Sequence, residues 1–227
     1  MKNDNIHIII PAAGMGRRMK SYGPKPLIKI GNSTIIKNQI GLLNSQFPNN
    51  TIVLVCGFKA DVLMNETPNN ILKVENELFE HTNVCRSIGI ALRVLINASK
   101  VLLVYGDLVF NSHTLKSISL DQSSVVIANE GMGNEEIGCI IDKDNNLNHL
   151  MYDLPIKWGQ IAFFVNEELE MLKQLCWDSK NNTKFGFEII NQIIENNGSF
   201  KCIQNKNIKI TDIDSFKDIE RAKDILL

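Results

Sequence analysis

The stretch P-A-A-G-M-G-R-R-M, residues 11–19, sets two glycines and two arginines directly behind the apolar run I-H-I-I-I. Gly14 and Gly16 carry no Cβ, so backbone N–H groups in such a turn can approach an anion closely. Arg17 and Arg18 supply forked donors for phosphate oxygens, and Lys25, fixed between Pro24 and Pro26, supplies a point charge. Two common phosphate loops are excluded by spacing. A G-x-G-x-x-G turn needs glycine where Met19 stands, and a Walker A loop needs a closing G-K-[ST]. The competing reading is a tight turn with a solvated basic face.

Carboxylates that could answer this basic cluster lie far away in sequence. Asp107 closes V-L-L-V-Y-G-D, and an acid at the carboxyl end of a strand faces the same edge as the first loop. There it can hold Mg²⁺ against phosphates, although a turn or helix-cap role is the alternative. Asp212 and Asp214 occupy alternate positions before the last helical segment and offer a second acid, with helix capping as the other reading of Asp212. Four scattered histidines and five cysteines without a C-x-x-C pair argue against a zinc site or disulfide framework and for a reducing cytoplasm.

The elements that would position these groups alternate. I-H-I-I-I, T-I-V-L-V-C-G, I-L-K-V, V-L-L-V-Y-G and S-V-V-I-A read as buried strands of a mostly parallel sheet. S-T-I-I-K-N-Q-I-G-L-L and N-V-C-R-S-I-G-I-A-L-R-V-L read as helices between them. Ser33 or Thr34 is the N-cap of the first, and Ile88, Leu92 and Leu95 share one face of the second. This alternation predicts a three-layer, Rossmann-like α/β fold in a single domain over 1–227. Beyond Ala128 the rhythm breaks, and residues 137–153 read as a β-hairpin insertion around D-K-D-N-N. A strand Q-I-A-F-F-V, two helices, a strand pair S-F-K-C-I-Q/N-I-K-I-T and a final helix follow.

The 227 residues carry a net charge of −1, with 44% hydrophobic and 22% charged residues. That balance excludes a global basic field for nucleic acid or anionic membranes, so any anion grip is local. No segment resembles a signal peptide or approaches a membrane span.

P-A-A-G-M-G-R-R-M…P-K-P-L-I-K-I-G resembles the opening of the nucleotidyltransferase superfamily, x-A-A-G-x-G-x-R-[ML] followed by P-K-x-L. The branches with the greatest resemblance are the bacterial choline-phosphate cytidylyltransferase and sugar-phosphate nucleotidylyltransferase group and methylerythritol-phosphate cytidylyltransferase. The resemblance implies a nucleotide-diphospho-sugar transferase type of fold. It also implies that Ala12, Ala13, Gly14 and Gly16 bind nucleotide, with Arg17 in the motif's variable slot. Arg18 and Lys25 would hold the triphosphate and stabilise charge as pyrophosphate leaves. Asp107 matches the metal-binding G-D of the sugar- and choline-phosphate enzymes, which implies Mg²⁺ there. D-I-D at 212–214 implies Asp214 as metal ligand with Asp212 assisting, while N-I-K-I-T implies that Lys209 contacts substrate.

Thr82, Asn83 and Ser87 match cytidylyl-transferring branches and imply CTP. Their hydroxyl and amide groups can read cytosine's edge, with plain capping by Thr82 or Asn83 as the alternative. The family's E-K-P-like triplet is Asp153-Leu154-Pro155 here, which does not suit a standard hexose 1-phosphate. Lys157, Trp158, Lys184, Phe185 and Glu188 could instead line an acceptor pocket, an aromatic plus an acid suiting an ammonium group, with Trp158, Phe185 and Phe187 as core residues the alternative. The whole implies transfer of CMP from CTP to a small phosphorylated or phosphonylated acceptor, with the hairpin as a homodimer arm. The alternatives are a sugar-1-phosphate uridylyl-, thymidylyl- or guanylyltransferase and a non-catalytic nucleotide-sensing module.

Overall fold

The computed structural model describes residues 5–16, 23–129 and 136–226. The chain opens with β1 (Ile6–Ala12), a short ribbon of β2 (Lys29–Ile30) and β3 (Ser33–Thr34), and α1 (Ile35–Gln46). Next come β4 (Asn50–Cys56), α2 (Ala60–Glu66), β5 (Leu72–Glu75), α3 (Val84–Val94) and β6 (Lys100–Val104). The middle holds β7 (Leu108–Phe110), α4 (Ser112–Lys116), β8 (Ser124–Ile127), β9 (Ile137–Ile141), β10 (Leu147–Tyr152) and β11 (Ile156–Val165). It ends with α5 (Asn166–Trp177), α6 (Gly186–Glu195), β12 (Lys201–Ile203), β13 (Ile210–Asp212) and α7 (Phe216–Leu226).

The main sheet runs β10-β9-β11-β6-β1-β4-β5, with β8 and β12 joined beside β11. β1 is parallel to both β4 and β6, while β11 lies antiparallel to β6. Consecutive isoleucines make β1 central: Ile8 and Ile10 enter the core under α1 and α2, and Ile9 enters the core under α3, α5 and α6. All three are 0% exposed, as a strand covered on both faces requires. The sheet is therefore the middle of three layers, a mixed and mostly parallel α/β arrangement. A third, smaller core joins Ile28, Ile30, Ile35, Val109 and Ile213 to Ala222 and Ile225 of α7.

Thr34, rather than Ser33, caps α1 by accepting from the Lys37 N–H. Ile88, Leu92 and Leu95 are all buried, as their spacing on α3 predicts. The expected hairpin forms as β9 and β10, and it extends an edge of the main sheet because β9 also pairs β11. One sequence expectation needs correction. The two late strands do not pair with each other: β12 runs parallel to β8, and β13 pairs antiparallel with β7. Among the described residues no helix is long and apolar enough to cross a membrane.

Candidate active site

The strand order reverses at β1. The chain steps outward from β1 to β4 and β5, then returns to lay β6 on the other side of β1. In an open α/β sheet the crevice beyond the carboxyl ends of such strands is where ligands bind. Residues 12–16 leave β1 there, and Tyr105-Gly106-Asp107 leaves β6 beside them, tied by the Gly106 N–H to the Pro11 carbonyl at 3.0 Å. A cavity of about 220 Å³ opens at this point. Its walls come from the first loop (Ala12, Ala13, Gly14, Gly16), from Lys25, from Asp107, and from Asn76, Thr82, Asn83 and Ser87. Gly16 has φ of +56°, the conformation for which glycine is suited. The predicted Arg17 and Arg18 lie outside the described residues.

Lys25 links the basic and acidic segments. Its ammonium lies 3.1 Å from Asp107 Oδ2 and 2.5 Å from Asp214 Oδ1, with its side chain 14% exposed. The proline on either side explains the reach: Lys25 starts a single helical turn, Lys25–Leu27, with Pro24 as its N-cap and Pro26 at its second position. Burial works against the Lys25 charge, yet Asp107 and Asp214 outweigh it and hold the pKa above the ordinary lysine value. Burial pushes the Asp107 carboxyl above the usual carboxylate range, despite the attraction of Lys25. Asp107 arrives from the end of β6, and Asp214 from the β13–α7 turn, where the Ile213 N–H donates to the Asp107 carbonyl. Asp218 fixes that turn by accepting from the Asp214 and Ser215 N–H groups at 3.1 and 2.7 Å.

Two carboxylates from separate segments thus converge on one cation. Mg²⁺ is commonly held by one or two carboxylates together with phosphate and water oxygens, so this donor pair suits it. Among the described residues no group of three or more His, Cys, Asp or Glu is arranged to hold a metal by itself.

At the other wall, Asn83 caps α3, its Oδ1 accepting from the Val84 N–H at 2.9 Å. Thr82 does not cap; its hydroxyl donates to the Leu78 carbonyl at 2.7 Å. The Asn76 amide reaches both Thr82 Oγ1 and Ser87 Oγ. Asn76, Phe79 and Tyr105 line the cavity without having been singled out in the sequence. A polar residue just past β5, at the same edge as Gly14 and Asp107, was the available signal for Asn76.

The remaining predicted residues divide. The Lys184 carbonyl accepts from the Cys85 N–H, so the 182–185 loop is zipped to the start of α3. Glu188 caps the next helix by accepting from the Phe185 N–H at 2.7 Å. Lys157 is 3% exposed and paired with Glu136 at 2.5 Å and Asp212 at 3.0 Å. Asp212 is thereby engaged with Lys157 and does not cap α7; burial opposes its charge, but Lys157 holds its pKa below the ordinary value. Trp158 is 2% exposed and packs edge-on against Tyr105 at 6.0 Å between centroids. Lys209 is exposed, with its backbone tied to Asn111 at the end of β13 away from Asp212.

Residues 8–180 match the family model of the MobA-like NTP transferase domain. The chain belongs to this family. The family's fold is shared by two solved structures similar to this one. The CTP:phosphocholine cytidylyltransferase of Streptococcus pneumoniae superposes with a TM-score of 0.78 at 18% identity, covering 98% of this chain and 99% of that one. The inositol-1-phosphate CTP transferase of T. maritima gives 0.75 at 16% identity, over 96% and 95%. A curated relative within reach of sequence comparison is the bifunctional protein GlmU of Buchnera aphidicola subsp. Baizongia pistaciae, 24% identical over 245 residues, covering 99% of this chain and 53% of the relative. The NTP transferase chain spans about half the length, or less, of the curated relatives it matches.

Proposed function

We propose that the chain is a Mg²⁺-dependent cytidylyltransferase that transfers CMP from CTP to a small phosphorylated or phosphonylated acceptor. One observation carries this reading. The glycine turn after β1, the Asn76–Thr82–Ser87 cluster and the Lys25–Asp107 pair line a single cavity at the reversal point of the sheet. Family membership and the likeness to two proteins whose names specify CTP support it.

In this reading the base lies against Thr82, Asn83 and Ser87, and the triphosphate lies along Ala12, Ala13, Gly14 and Gly16. Lys25, with Arg18 and Arg17 from the same segment, neutralises the phosphates. An acceptor phosphate oxygen attacks the α-phosphorus; a P–O bond forms as the bond to the β-phosphate oxygen breaks, and pyrophosphate leaves with that electron pair. The attacking oxygen is already anionic, so positioning and charge neutralisation carry the rate without a strong general base. Asp107 and Asp214 would hold Mg²⁺, which when bound neutralises charge on the phosphate oxygens. Lys184 and Glu188 are the acceptor candidates beside the cavity. Lys157 and Trp158, both buried, would shape that side from beneath, and the exposed Lys209 would act only through movement of β13.

The test is pyrophosphate release by the purified chain from each of CTP, UTP, dTTP and GTP, with Mg²⁺ and a panel of phospho-acceptors. CTP-dependent release supports the proposal. Release with UTP or dTTP and a sugar 1-phosphate in place of CTP would replace it with a sugar-nucleotide reading. Release with none would favour a nucleotide-sensing module.

A further inference from the structure

Asn76 follows β5 and is 2% exposed. The Leu78 N–H, which can only donate, lies 3.2 Å from Asn76 Oδ1, so the amide orientation is fixed with Nδ2 on the opposite side. Nδ2 lies 3.1 Å from Thr82 Oγ1 and 3.2 Å from Ser87 Oγ. The Thr82 hydroxyl proton is committed to the Leu78 carbonyl at 2.7 Å. Both hydroxyl oxygens therefore accept from Asn76. Ser87 keeps its own proton; it is 2% exposed, lines the cavity, and has no second hydrogen-bond partner among the described residues.

We infer that Asn76 sets the hydrogen-bond polarity of the base pocket, making Ser87 a donor and so selecting a pyrimidine whose N3 accepts over one whose N3 carries a proton. Cytosine, uracil and thymine all offer an acceptor at O2, but at N3 cytosine accepts whereas uracil and thymine present N3–H, so a Ser87 donor discriminates between them at N3. An N3–H could use the remaining Ser87 lone pair only with the hydroxyl proton turned away, where the described residues offer it no acceptor. A site built around one hydrogen-bond pattern rejects the mismatched partner because a buried polar group is left unpaired. Asn76 acts through Ser87 and is a positioning residue. The inference rests on the CTP reading above and names what in the chain would enforce it.

Asn76→Asp tests it in the full chain. The carboxylate keeps the Leu78 contact but turns the donor facing Ser87 into an acceptor, so Ser87 would give its proton to the side chain. Dissociation constants for CTP and UTP, measured by calorimetry with Mg²⁺, give the readout, because a purely structural role would weaken both nucleotides alike. The wild-type chain should bind CTP about 10-fold or more tighter than UTP, and Asn76→Asp should lower that ratio about 10-fold. Ser87→Ala, a smaller change in case the buried carboxylate impairs folding, should bring the ratio near unity mainly by weakening CTP. A wild-type chain with no CTP preference would overturn the CTP reading together with the inference. A wild-type preference that survives in Ser87→Ala, or in folded Asn76→Asp, would overturn the inference alone.

Discussion

Lys25 Nζ lies 3.1 Å from Asp107 Oδ2, although 82 positions separate the two residues. With Asp214 at 2.5 Å on the same ammonium, one lysine holds two carboxylates at the mouth of the cavity beyond β1 and β6. The opposed demands of charge and burial make this cluster a place where function and stability separate.

Asp107→Asn should reduce turnover by about 10²-fold or more, since in the proposed reading it removes one of the two carboxylates that would hold Mg²⁺. It should not lower the melting temperature. Burial already disfavours the Asp107 charge, and Lys25 retains Asp214. Lys25→Met should lose turnover as well but should also lower the melting temperature, because Asp107 and Asp214 then face each other without their shared cation. Paired thermal scans and pyrophosphate assays distinguish the two patterns. Equal destabilisation by both variants would refute the asymmetry.

Gly57, directly after β4, is where that strand approaches the glycine turn after β1. A Cβ there would stand 2.7 Å from Ala13 Cβ and 2.8 Å from the Ala13 carbonyl oxygen. Phe58, the next residue, donates its N–H to that same carbonyl at 3.0 Å. Gly57→Ala should therefore cost about 1–3 kcal/mol in urea unfolding and weaken nucleotide binding, as overpacked sites do. Unchanged nucleotide affinity would mean that the turn adapts freely.

Lys157 holds Asp212 and Glu136 with its side chain 3% exposed and theirs 12% and 18%. Removing one member of so buried a set leaves uncompensated charge, so Lys157→Met should destabilise by about 3 kcal/mol. Adding Asp212→Asn should recover part of that loss. A double-mutant cycle in urea measures the coupling, and strictly additive effects would contradict it.

All five cysteines are free and buried. Burial pushes the Cys56 and Cys202 thiols up to about 12 and Cys139 up to about 11. These three remain protonated at pH 8 and should react slowly with a disulfide reagent in the native chain. Rapid titration of all five should appear only in denaturant. Fast native labelling of Cys56 would show that the sheet core opens.

Long β-branched runs and the glycine turn were legible because each is local: Ile8, Ile9 and Ile10 announce a strand covered on two faces. The carboxyl-edge position of Asp107 followed from the strand before it. Partners chosen by tertiary structure were not legible. β13 pairs with β7 about a hundred positions earlier, which no local pattern encodes, so its pairing with S-F-K-C-I-Q was a misreading of two adjacent short strands. Trp158 and Lys157 show the same limit from the side-chain end. Trp158 was readable either as a pocket wall or as core, and the sheet encloses it together with Lys157. Asn76 went unnoticed because an asparagine after a strand looks like an ordinary turn residue until Thr82 and Ser87 fold onto it.

The structure of the chain with CTP and Mg²⁺ bound tests the placement of the nucleotide most directly. The cytosine ring should contact Ser87 and Thr82, the triphosphate should run along Gly14 and Gly16, and Lys25 should exchange at least one carboxylate for a phosphate oxygen. A nucleotide bound elsewhere, or bound here with the Lys25 pairs to Asp107 and Asp214 both intact and its phosphates in solvent, would contradict it.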